Sequence, residues 1–186
     1  NMGEAARRKL GDIAYAALTG NPTMGDGTVL FHADHGNLGT GGAVSTTTLD
    51  ELFKLMALQQ DLKGKRSLNI SPTFFLGPKS VMGTTEQFFK TPLIGGKTNQ
   101  PNLANIYSGD MLNRVYDSRL DDVSTTAWYL AGRKGRTVKM FFLNGIKTPF
   151  QESKYGWTID GIEHKVRIDA AAVPLTWKAL ARNAGA

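Results

Sequence analysis

Along residues 3–19, apolar side chains at Ala6, Leu10, Ile13, Ala14 and Ala17 recur at helical spacing, while Glu4, Arg8 and Asp12 form an i, i+4 charge ladder on the other side. The pattern is in phase from the first residues with no capping residue ahead of it, so this helix is expected to begin upstream of Asn1. Gly20-Asn21-Pro22 should end it. The best-signalled element follows. Residues 48–51, Thr-Leu-Asp-Glu, have the form of a capping box, and the apolar spacing after them predicts a helix that stops at Gly64. Leu49, Leu52, Phe53 and Met56 share one face, and Leu55, Leu58 and Leu62 make a second ridge, so the helix should be covered on two sides. Residues 66–70 and 73–76 read as extended, the latter held between Pro72 and Pro78.

Further along, residues 79–90 predict a short helix with Val81, Met82, Phe88 and Phe89 as its apolar side. Residues 28–31, 111–118, 125–130, 137–143 and 162–168 are rich in β-branched or aromatic residues and predict strands. Asp26-Gly27, Gly132 with Gly135, Asn144-Gly145 and Asp160-Gly161 mark turns. Residues 91–109, with two prolines and three glycines, predict one long irregular loop, a feature usually kept for function. Trp128, Trp157 and Trp177 are expected as core or interface anchors. The whole reads as an α+β fold.

Composition narrows the function classes more than it names one. At 186 residues the chain fits one domain, or one domain in two lobes, able to bury about 70% of the surface of its unfolded form. With no cysteine there is no disulfide framework and no thiolate metal site. No apolar run approaches the roughly 18 residues of a membrane span, so no membrane partner is expected. The net charge is +6, with basic clusters at Arg7, Arg8 and Lys9, at Lys63, Lys65 and Arg66, and at Arg133, Lys134, Arg136 and Lys139. Dispersed along the chain in this way, they read as solvated faces with at most a weak, sequence-independent attraction to nucleic acid.

The one stretch that looks chemical is His32, Asp34 and His35. His-x-Asp-His could supply imidazole and carboxylate ligands to a metal, or a base with its orienting acid, and a metal-dependent hydrolase is the enzymatic alternative. Against it, no Glu follows at helical spacing, and only one further histidine, His164, exists. Asn37, Gly39, Gly41 and Gly42 mark a loop in which polar side chains commonly bond backbone groups. A structural turn is therefore expected, with no catalytic, metal or cofactor residue.

Several segments taken in order resemble the major head protein of Mu-like tailed bacteriophages and prophages, a family with the Hong Kong 97-type capsid fold. They are Leu30-Phe31-His32-Ala33-Asp34-His35-Gly36-Asn37-Leu38, Asp117-Ser118-Arg119-Leu120 and Thr126-Ala127-Trp128-Tyr129-Leu130, then Phe142-Leu143-Asn144-Gly145 with Thr148-Pro149-Phe150. Asp160-Gly161, Lys165-Val166-Arg167-Ile168-Asp169 and Asn183-Ala184-Gly185-Ala186 complete the series. The resemblance implies a structural, non-enzymatic subunit that self-assembles into an icosahedral shell around DNA. Its partners would be copies of itself in hexamers and pentamers, other head proteins, and packaged DNA held weakly without sequence preference. It would reside in the phage head, and in the host cytoplasm before assembly. Residues 3–44 and 132–186 would form the peripheral domain and 45–131 the axial domain, with 91–109 near a capsomer axis. The family's N-terminal arm and extended loop precede the spine helix in which this sequence begins. The 186 residues are therefore expected to fold but not to close shells alone, leaving an exposed apolar strip on Ala6, Leu10 and Ile13.

Overall fold

The computed structural model describes residues 2–61, 63–95, 101–156 and 160–186. Its first element is helix α1, Met2–Thr19, which closes where the Gly20 N–H reaches the Ala16 carbonyl at 2.9 Å. Ala6, Leu10 and Ile13 are half-buried rather than exposed, because α1 lies against the C-terminal strands described below. Residues 28–31 do not form the expected strand. Val29 makes a lone bridge to Thr23, and Leu30 and Phe31 are buried by packing instead.

Helix α2, Thr46–Ala57, starts earlier and ends earlier than its pattern predicts. Its cap is Ser45, whose hydroxyl accepts from Thr48 N–H at 3.3 Å while Thr48 Oγ1 accepts from Ser45 N–H at 3.0 Å. Glu51 is occupied elsewhere, accepting from the Thr40 N–H and hydroxyl at 3.0 and 3.1 Å. The C-terminal end is set by tertiary hydrogen bonds, which outweigh local propensity. Past Leu58, the buried Gln59 donates to the His35 and Gly36 carbonyls, and its own carbonyl accepts from Leu68 N–H. Leu49, Leu52 and Met56 are buried, but Leu58 is 53% exposed, so the second ridge is not covered; Leu62 lies outside the described residues. Residues 66–70 hold a single bridge, Ser67 to Gln60, rather than a strand.

Strand β1, Phe74–Gly77, leads through a 3₁₀ turn into helix α3, Met82–Lys90. The 91–109 segment is not wholly irregular. Two short strands, β2 (Leu93–Ile94) and β3 (Leu103–Ala104), pair antiparallel, and residues 96–100 between them lie outside the described residues. Strand β4, Asn113–Tyr116, runs parallel to β1, a pairing that needs a crossover connection, here one that contains α3. A short helix α4, Ser118–Asp121, and strand β5, Trp128–Ala131, follow. The last strand, β10 (Leu180–Asn183), completes a four-stranded sheet in the order β10-β5-β1-β4.

The sheet has a hydrophobic layer on each face, which explains why β5 is apolar at every position instead of alternating. Trp128 and Leu130 join Leu49, Leu52 and Met56 of α2, Phe75 of β1 and Phe89 of α3. Tyr129 and Ala131 point the other way, to Leu18 of α1, Leu30, Phe31 and Leu120 of α4. Each buried Leu, Met or Phe side chain contributes roughly 1.5–3 kcal/mol of burial. The Arg119 guanidinium fastens α4 to α1 through Asp12 at 2.6 Å, and Asp117 caps α4 by accepting from Arg119 N–H. Burial and neighbouring Asp117 push the Tyr15 hydroxyl up to about 12 in this corner.

Between β5 and β10 lie two ribbons. Strand β6, Val138–Phe142, pairs with β9, Ala170–Pro174. Val138, Met140 and Phe142 are half-buried on one side of it, and both strands pack against α1. Strands β7, Phe150–Tyr155, and β8, Ile162–Arg167, form the second ribbon. Residues 157–159 at its turn, including Trp157, lie outside the described residues.

Candidate functional site

The histidine segment folds as a wired loop. His32 Nδ1 accepts from Asp34 N–H at 3.2 Å, capping one 3₁₀ turn that Gly36 closes with φ +57°. Asn37, also buried, donates to the Leu30 carbonyl and accepts from His32 N–H. His35 is buried, with Nδ1 3.1 Å from the Leu30 carbonyl oxygen and Nε2 2.7 Å from Asp26 Oδ2. Its ring stacks on Trp177 at 4.2 Å. The hydrogen bond from His35, followed by one from Thr28 N–H, holds the Asp26 carboxyl below its ordinary value.

His32 and Asp34 face each other at the surface, whereas both nitrogens of His35 are occupied on the inner side. The three side chains thus do not converge on one point. Among the described residues no group of three or more His, Asp or Glu could hold a metal ion. His164 sits apart on β8, where its Nδ1 is 2.9 Å from Ser153 Oγ. Asp26, the partner of His35, was not legible from spacing; the Asp26-Gly27 turn gives only its local role.

Other polar pairs tie elements together. Tyr107 donates to Asp50 and Tyr116 to Glu86, joining α2 and α3 to the sheet side; burial, then these carboxylates, raise both phenols. Asp121 accepts from the Lys79 and Ser80 N–H groups and the Ser80 hydroxyl. Desolvation pushes its carboxyl up, yet these bonds together keep it low.

Among the described residues, two surfaces stand out as lacking such closure. The β2–β3 end carries exposed Leu93, Leu103, Ile106 and Met111. The β7–β8 ribbon is exposed on both faces nearly throughout, with Tyr155 at 78%. Its register places Phe150 opposite Arg167, Glu152 opposite Lys165 and Lys154 opposite Glu163 on one charged face. Tyr155 opposite Ile162 makes an apolar tip on the other. At its base, Leu143, Ile146, Phe150 and Arg167 line an open cavity of about 350 Å³. No helix among the described residues is long and apolar enough to cross a membrane.

A layered α+β chain of this kind, with unclosed ribbons, fits a subunit of an assembly. The chain belongs to the phage capsid protein family, whose model matches residues 1–183. Among solved structures, one similar chain is that of the holo-SrpI encapsulin complex from Synechococcus elongatus, at 15% identity and a TM-score of 0.47, over 80% of this chain. The chain spans 52% of that protein's length. No curated protein sequence matches.

Proposed function

We propose that the chain is the structural part of a major head subunit that copies of itself close into a Hong Kong 97-type shell around DNA. The observation that carries this reading is the phage capsid family match across nearly the whole chain. Two surfaces support it. A two-stranded ribbon is only marginally stable by itself in water, so β7–β8, solvated on both faces, fits an element completed by a neighbouring subunit. The exposed leucines and Ile106 at the β2–β3 end fit a second contact, near a capsomer axis. Hexamers and pentamers, contacts with other head proteins and residence in the phage head follow as parts of the same reading. So does the absence of catalysis: His32, Asp34 and His35 serve the loop. Residues 45–131 would form the axial lobe and 3–44 with 132–186 the peripheral lobe, with β10 crossing back to finish the sheet.

Expression of the gene encoding the chain, followed by light scattering and negative-stain microscopy, tests this. Rings are expected from the protein alone, and closed particles where the other head proteins are supplied. A product that remains monomeric at every concentration, alone and with the other head proteins, would contradict it.

A further inference from the structure

Two of the three basic clusters, at residues 63–66 and 133–136, lie far apart in the sequence but meet at one end of the sheet. Register fixes the meeting point: Phe74 at the start of β1 and Leu180 at the start of β10 both pair with Ala131 at the end of β5. The segments entering β1, leaving β5 and entering β10 must therefore emerge side by side. They do so, with Thr73 N–H on the Ala131 carbonyl, Gly132 N–H on the Ala179 carbonyl, and Lys178 Nζ on the Gln60 carbonyl at 2.6 Å. These parts of the chain are also free of acidic residues. No Asp or Glu occurs between Asp61 and Glu86, between Asp122 and Glu152, or after Asp169.

Lys63, Lys65, Arg66, Arg133, Lys134 and Arg136 are all exposed at this end. No ion pair satisfies any of them among the described residues. The nearby carboxylate, Asp61, is engaged by the Lys63 and Lys65 backbone N–H groups, and the latter bond leads in holding its carboxyl low. Between the cationic loops lies an open cavity of about 370 Å³ lined by Asn69, Ser71, Thr73, Arg133 and Arg136. Hydroxyl and amide donors beside forked guanidinium groups suit phosphate oxygens.

We propose that this end of the sheet is a phosphate-backbone binding surface for double-stranded nucleic acid. A shell needs one face toward its contents, and this inference, which rests on the shell reading for its biological setting, assigns that face. Cations without carboxylate partners among the described residues recognise repeated phosphates without reading bases, so affinity should be independent of sequence and steeply dependent on salt. Leu68, Ile70 and Ala179 also line the cavity, but a lipid surface fits less well, since this end of the sheet presents no apolar helix face for insertion.

Fluorescence anisotropy with two unrelated 30-base-pair duplexes tests this on the dissociated subunit. The triple variant Arg66→Gln, Arg133→Gln, Arg136→Gln should bind at least about tenfold more weakly, and its slope of log K against log salt should fall by about 2 to 3. The control is Arg7→Gln, Arg8→Gln, Lys9→Gln, which removes the same charge from α1. There the Arg8 carbonyl meets Arg119 beyond the C-terminal end of β4, at the opposite end of the sheet. It should retain affinity within about twofold. Equal losses in the two triples would reduce the effect to net charge and overturn the proposal. Preference for polyglutamate or phosphatidylserine vesicles over duplex would overturn it as well. If shells form while duplex binding is unaffected by either triple, this inference fails and the subunit reading stands.

Discussion

The four-stranded sheet and the β7–β8 ribbon are made from similar residue types and have opposite fates. In β5 every side chain is buried, and Phe75 of β1 meets Trp128 at 5.6 Å and Phe89 at 5.6 Å between ring centroids. In the ribbon, Phe150, Tyr155 and Ile162 remain in water. The sheet is covered by this chain's own helices on both faces, so its apolar area is converted into stability of the subunit. Among the described residues the ribbon, though β8 approaches α1, is left nearly wholly exposed. Its apolar area is what the proposed contact between copies would use.

The difference can be broken at matched positions. Phe75→Ala should cost about 3–5 kcal/mol, because it removes a fully buried ring and leaves a cavity between three aromatic neighbours. Phe150→Ala should change stability by no more than about 0.5 kcal/mol in the dissociated subunit. Urea unfolding of the two variants reads this directly, and equal costs would remove the distinction. The ribbon should instead matter for association. Tyr155→Ser with Ile162→Ser should leave the unfolding midpoint in place and lower the assembled fraction at least about tenfold, since a small loss per contact is multiplied over many contacts. Sedimentation velocity checks it.

A smaller effect sharpens the loop that lies under the sheet. Asp26 has its folded value depressed, so its contribution is present above the ordinary aspartate value of about 3.9 and is lost as pH falls through the depressed one. Asp26→Asn should therefore lower the thermal midpoint at neutral pH, and the gap to the parent should close below about pH 4. A gap that is constant down to pH 2 would mean that the carboxylate charge is not what His35 uses.

The same contrast explains what could be read in advance. Elements whose pattern is answered within the chain were legible: α1, the face of α2 carrying Leu49, Leu52 and Met56, β1, and the all-apolar β5. β9 and β10 were not, because Ala170–Pro174 is mostly alanine and ends in proline, and Leu180–Asn183 is Leu-Ala-Arg-Asn, so neither carries much strand propensity; they are strands because β6 and β5 pair with them. The cap of α2 was misplaced by three residues since Ser45-x-x-Thr48 and Thr48-x-x-Glu51 look alike until Thr40 claims Glu51. That the histidine segment is a turn could be read from its glycines and Asn37. Its partner Asp26 could not, and neither could the convergence of the cationic loops, which depends on strand order.

Hydrogen exchange followed by mass spectrometry, on dissociated subunits and on assembled particles, tests the central contrast most directly. Peptides covering residues 74–77 and 128–131 should exchange slowly in both states, because both faces of that sheet are covered within the subunit. Peptides covering residues 150–155 and 162–167 should exchange rapidly in the subunit and become protected in the particle. Ribbon peptides that exchange equally in the two states, whether fast or slow, would contradict the account.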